Sequence, residues 1–176
     1  MKTLRRIFQT ATTSQGEIRD LLQVVFANEL MAPSKELFLV SPWISDIVII
    51  DNRMGGFDAL NPEWKGRQIR LTEVIIQLMS IGSEVSIITR PDPHNDTVLN
   101  RISTVSDESA LAEKVYTKTV EDLHTKGILT EKGCLLGSMN ITYNGIEINE
   151  EFVSYHIDKE GIAEAKLNFD LYRKGT

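Results

Sequence analysis

The sequence predicts an α/β domain, a mixed β-sheet flanked by helices, and three observations carry that prediction. Helix-like and strand-like segments alternate over residues 16–113, as in layered α/β architectures. Over residues 115–157 the chain turns β-rich, with a hairpin signal at Glu131-Lys132-Gly133. At 176 residues, with 41% hydrophobic and 25% charged side chains, the chain can build a proper core and is ordinary for a soluble globular protein. No repeat, linker or low-complexity tract divides it, so residues 1–176 are expected to fold as a single domain.

Ser14 is placed to cap a helix over about residues 16–31, with Ile18, Leu21, Leu22, Val25, Phe26 and Leu30 on one face. Pro33 ends it. Residues 36–41 are an apolar run between Pro33 and Pro42 and read as a buried strand. After a Ser-Pro-Trp turn, residues 45–50 are a second β-rich segment. A loop with Gly55-Gly56, Pro62 and Trp64 leads to a helix over about 70–81, closed by Gly82. Residues 84–89 form the next strand, broken by Pro91-Asp92-Pro93, and residues 95–113 read as mostly helical. Residues 115–120, 123–130, 133–136 and 151–157 supply further strands, with a loop through Asn144-Gly145 before the last. A helix over about 159–172 closes the chain, with Ile162, Ala165, Leu167, Phe169 and Leu171 as its apolar groups.

The N-terminus has basic residues but no apolar core of roughly seven or more residues after them, so no secretory signal is expected. No run approaches the roughly 20 residues of a membrane span, and a cytoplasmic protein is expected. The single cysteine, Cys134, lies in an apolar run and reads as a small buried hydrophobe. Net charge is −6, which by itself argues against phosphate binding, but the charge is uneven. Residues 1–70 hold nine Lys and Arg against eight Asp and Glu, and residues 107–176 hold eight against thirteen. Any phosphate-binding surface would therefore draw on the N-terminal half, where Arg53, Lys65, Arg67 and Arg70 cluster, although such a cluster is more often a solvated loop.

The chemistry lies further on. His124 and Lys126, two positions apart in a strand, would share one face, because successive side chains alternate. That face would carry a nucleophile or acid–base group beside a fixed positive charge. Gly137-Ser138-Met139-Asn140 follows, adding backbone N–H groups, a hydroxyl and an amide. Such donors suit a phosphate diester whose negative charge grows during substitution.

The constellation resembles the signature of the phospholipase D superfamily, the HKD phosphodiesterases. In that signature His-x-Lys is followed after four residues by Asp, then about six residues on by Gly-Ser-x-Asn. A further acidic residue lies some eleven positions past the asparagine. This chain has His124 and Lys126, Glu131 at the aspartate position, Gly137-Ser138-Met139-Asn140 after a gap one residue shorter, and Glu151 in Asn149-Glu150-Glu151. The resemblance implies a phospholipase D-like sandwich with one HKD half per chain. It also implies that His124 attacks phosphorus to form a phosphohistidine, while a second histidine protonates the leaving oxygen and then activates water. Lys126, Ser138 and Asn140 would hold the non-bridging oxygens, and Glu151 would accept the other imidazole N–H. No metal or other cofactor is required by that scheme. Glu131 would be a structural support of the hairpin, and Glu150 competes with Glu151 as the orienting carboxylate. His94 reads as a loop residue and His156 as a sheet residue; with Cys134 they show no metal-ligand spacing.

Two histidines are needed and one motif is present, so the resemblance implies a homodimer with His124 of each subunit at a shared cleft. Short single-motif members are similar to the DNA-cutting parts of bacterial restriction and antiphage systems. The stretch Leu39-Val40-Ser41-Pro42-Trp43-Ile44-Ser45-Asp46 resembles their first strand and turn. A closer likeness is to the phospholipase D-like component of clusters that insert 7-deazapurine bases into DNA. The expected substrate is therefore nucleic acid, DNA above all. A catalytically weak, nucleic-acid-binding or scaffolding subunit of a larger defence complex is the alternative. A phospholipase is a weaker one, since phospholipase members are usually long, with two motifs and apolar entry loops.

Overall fold

Alternation within one central strand divides the protein into layers. In β2 (Glu36–Val40), Leu37 and Leu39 join one apolar cluster while Phe38 and Val40 join another, because neighbouring strand side chains point to opposite faces. The computed structural model describes residues 4–174. Among these, a seven-stranded sheet runs in the order β1, β9, β8, β7, β2, β5, β6, with β3 and β4 paired apart from it. The remaining strands of the large sheet are β1 (Leu4–Gln9), β5 (Glu84–Thr89), β6 (Val115–Thr119), β7 (Gly127–Leu129), β8 (Cys134–Gly137) and β9 (Glu151–His156). The small ribbon is β3 (Val48–Asp51) with β4 (Gln68–Arg70), and the helices are α1 (Glu17–Met31), α2 (Leu71–Ser80), α3 (Pro93–Glu108) and α4 (Lys159–Lys174).

β2, β5 and β6 are parallel, with α2 and α3 in the crossovers between them. β7, β8 and β9 form an antiparallel meander on the other side of β2, and β1 pairs antiparallel with β9 at the edge. One face of the sheet is sealed by Ile18, Leu22 and Phe26 of α1, Val74 and Leu78 of α2, and Val98 and Ile102 of α3. On the other face Phe169 and Ala165 of α4 meet Phe38, Val40, Ile88, Leu129 and Cys134. Burying each such Leu, Ile or Phe stabilises the fold by about 1.5–3 kcal/mol. Among the described residues no helix is long and apolar enough to cross a membrane.

The mixed sheet flanked by helices is the architecture that the sequence predicts, but several local expectations change. Ser14 does not cap α1: its own backbone has φ 56°, and the helix is entered through Gly16 at φ 80° with no side-chain cap. β1 and β4 stand where no strand is expected. β3 occupies part of the expected 45–50 segment and belongs to the ribbon rather than the main sheet. On α4 the 3.6-residue period turns Ala165 and Phe169 inward and leaves Leu167 and Leu171 exposed, so those two are not core residues. Cys134 is buried as expected, and burial pushes its thiol up to about 11.

Candidate active site

The polypeptide leaves β6 at one edge of the sheet and re-enters as β7 on the far side of β5 and β2. Residues 120–126 therefore cross the carboxyl ends of those parallel strands, where the strand direction changes. His124 and Lys126 lie on this crossing segment. They are not in a strand: β7 begins only at Gly127, the last residue with partners on both β2 and β8. Beyond it β2 has ended and β8 runs on by a single residue, Gly137, so no ladder reaches His124. The segment is instead tied down by side chains. Arg90 Nε donates to the Leu123 carbonyl at 2.9 Å, and Thr125 Oγ1 lies 2.7 Å from the Tyr172 hydroxyl of α4.

Between those anchors the His124 side chain is exposed, and among the described residues its imidazole has no hydrogen-bond partner. Lys126 turns inward and is only 9% exposed, its Nζ donating to the His124 carbonyl at 2.7 Å. Burial pushes the Lys126 pKa below the ordinary lysine value; the Glu151 charge pulls it back up, and Arg90 lowers it further.

The antiparallel register brings the end of β8 and the start of β9 to the same sheet edge. Gly137 is paired so closely with β9 that a methyl group there would run into the Phe152 carbonyl, which explains a glycine at this point. Ser138 follows. Its hydroxyl donates to Glu151 Oε2 and accepts the Phe152 N–H at 3.0 Å. Glu151 is also approached by Asn149 Nδ2 at 3.4 Å. Ser138 and Glu151 are thus joined to each other. Neither they nor Glu150 holds the His124 ring within this chain. Asn140 sits beside β2, its amide oxygen 3.5 Å from the Ser41 hydroxyl, too long to tie it firmly. Gly145 lets the backbone pass directly over Asn140, where a side chain would meet the Asn140 carbonyl.

Glu131 lies at the opposite end of the hairpin, roughly 20 Å of extended chain from His124. Its carboxylate accepts the Lys35 N–H at 3.1 Å and its own N–H donates to Ser34 Oγ at 3.2 Å. His156 is in β9, with Nε2 3.1 Å from Ser154 Oγ. His94 is not a loop residue: it occupies the first turn of α3, its Nε2 2.9 Å from Ser45 Oγ. In the Arg53, Lys65, Arg67 and Arg70 cluster, read as more often a solvated loop than a phosphate site, Arg53 pairs with Asp51 at 2.5 Å, Arg67 with Glu73 at 2.7 Å, and Arg70 donates to the Asp46 carbonyl at 2.5 Å. A second cation beside Lys126 is Arg90, the residue just after β5, whose guanidinium sits 5.6 Å from the Trp43 ring centre. Its position after an apolar strand was the available signal. Among the described residues no three His, Cys, Asp or Glu side chains converge on a point that could hold a metal ion.

Comparison with known proteins bears on the fold and the family. The family model of the cardiolipin synthase phospholipase D-like domain matches residues 59–172. No curated protein sequence matches the chain. Among solved structures it is similar to NucT from Helicobacter pylori, at 16% identity and a TM-score of 0.60 over 98% of this chain and 97% of that one. Nuc from Salmonella typhimurium, a phospholipase D family member, gives 11% identity and a TM-score of 0.57 over 96% and 91%. TrmBL2, an archaeal chromatin protein, gives 15% and 0.54 over 97% of this chain and 52% of that one. At these identities the structural likenesses speak for the fold alone. The family model spans well over half of the 176 residues, including the whole crossing segment and the strands β7, β8 and β9 that follow it, and the chain belongs to the phospholipase D-like family.

Proposed function

We propose that the protein is a metal-independent phosphodiesterase acting on DNA, working as a twofold homodimer within a bacterial restriction or antiphage system. One observation carries the proposal: an exposed, unbonded imidazole at the same sheet edge as a buried lysine, the Gly-Ser-x-Asn turn and a carboxylate. His124 attacks phosphorus, and the leaving oxygen takes a proton from the partner subunit's His124. That second imidazole, now neutral, removes a proton from water, which displaces the first histidine from phosphorus. Lys126 and Asn140 supply positive charge and an N–H donor for the non-bridging oxygens. Ser138 acts through Glu151, which it holds, and is a positioning residue. Glu151 reaches no histidine of its own chain and is free to accept an N–H from the partner subunit's His124 across the axis.

A single motif without apolar entry loops favours nucleic acid over lipid as substrate. The likeness to TrmBL2, whose structure is described as showing a mode of DNA binding, favours the second reading, a DNA-binding subunit of a larger complex. Incubation of the purified protein with single- and double-stranded DNA in EDTA separates the two. Cleavage that falls at least about a thousandfold in His124→Ala supports the enzyme. Binding without any cleavage supports the second reading.

A further inference from the structure

Beside the phosphodiester site lies a hollow of about 340 Å³ that the chemistry above does not use. Trp43, His94 and Tyr143 give it three aromatic rings, and Asn140, Asn144 and Asn149 give it three amides. It is joined to the site at two points. Asn140 belongs to both, and Asn149 extends its amide to Glu151.

The rings are held before any ligand arrives. Asp92 holds one ring and the backbone that carries another: Oδ2 accepts the Trp43 indole N–H at 3.0 Å, and Oδ1 accepts the His94 backbone N–H at 2.9 Å. Those two donors hold the Asp92 carboxyl below its usual range, so it stays charged and gripping at neutral pH. The Arg90 guanidinium lies against Trp43, and Ser45 fixes the His94 ring. Tyr143 is the loose member, 62% exposed and standing at the mouth of a single π-helical turn over Asn144–Ile148. That turn is itself anchored from below by Gln9, whose Nε2 donates to the Ile146 carbonyl at 3.0 Å.

We infer that this hollow is a nucleobase subsite, receiving the unstacked base next to the scissile phosphate. The inference rests on the phosphodiesterase reading for the position of that phosphate. Its chemistry is independent of it. Flat aromatic walls stack bases of any sequence, while amides read the donor and acceptor edge. The volume falls within the range of small-molecule sites, which begins at about 300 Å³. A lipid chain would lay hydrocarbon against a wall that includes three asparagines, which is costly. A duplex keeps its bases stacked inside, so the hollow selects single-stranded or locally opened nucleic acid.

The test is a pair of fluorescent single-stranded oligonucleotides, identical except for one abasic nucleotide, titrated in EDTA against the whole protein carrying His124→Ala, so that binding is read without cleavage. That protein is expected to bind the intact strand roughly tenfold more tightly than the best-placed abasic one. Tyr143→Ala should bring that ratio close to one, and Tyr143→Phe should keep it, because the ring rather than the hydroxyl does the stacking. His94→Ala should reduce it too. The ratio is measured within each variant, so a partly unfolded preparation does not mimic the effect. Equal affinity for the two strands, at every position of the gap, overturns the subsite. Failure of the phosphodiesterase reading would look different: no strand cleaved by the wild type, whichever way the affinity ratio falls.

Discussion

The two ends of the β7–β8 hairpin treat their polar groups in opposite ways. At the turn end, the Glu131 carboxylate and its N–H are both satisfied, by Lys35 and by Ser34. Thr130 closes the loop by accepting the Lys132 N–H at 3.2 Å. At the other end an exposed imidazole has no partner among the described residues, and a lysine is held where burial disfavours its charge. The first pattern is what a fold needs, since unpaired buried polar groups are costly. The second stores unmet bonding capacity where a substrate can meet it. Functional sites tolerate such conflict because neighbouring structure overdetermines it. Here that structure is the Arg90 and Tyr172 anchors on either side of His124.

Replacing groups at the two ends should therefore have opposite signatures. The largest effect after loss of His124 is expected from Lys126→Met, which removes the cation and keeps the shape. Activity should fall about a hundredfold or more. The thermal midpoint should hold or rise, because a buried charge whose folded pKa is depressed opposes folding at neutral pH. A large loss of stability in this variant would contradict the comparison.

The pH dependence follows from the same shift. Below its folded pKa Lys126 is charged and works against folding. That opposition is lost as pH rises from the folded pKa towards the unfolded value of 10.5. Activity that depends on the cation should accordingly decline at a pH below 10.5, and Lys126→Arg should move the decline upward. A rate–pH profile of both proteins, with stability measured alongside, tests this.

The smallest effect is expected at the turn. Glu131→Ala should lower stability by about 1 kcal/mol, the worth of one hydrogen bond, with turnover unchanged in a denaturant-free assay. A variant that kept its stability and lost its turnover would reverse the assignment of the two ends.

Much of this was legible in the sequence. β2 and β5 are apolar runs between prolines and turns, and α1 repeats its apolar groups at helical spacing. The motif residues meet at one edge because the hairpin register that the sequence suggests puts them there. β1 has no clear signal in the sequence because, as an edge strand, only Ile7 of its alternating pattern is a buried hydrophobe; Phe8 is exposed and packs on Phe152 instead. β4 is three residues long and exists only as a partner for β3. His94 and Trp43 come together through Asp92 and Ser45, from segments about 50 residues apart, and no local pattern announces such a meeting. Likewise Glu151 satisfies the expected spacing, yet only the folded register reveals that Ser138 and Asn149, not His124, are its partners in the same chain.

The central claim, that two copies of His124 act on one phosphorus, is tested most directly by mixed dimers. Wild-type and His124→Ala subunits, refolded together in equal amounts, should retain about one quarter of the wild-type cleavage rate, because only that share of twofold dimers carries both histidines. Activity that falls in simple proportion to the wild-type fraction, leaving about one half, would mean that each chain works alone and would contradict the account.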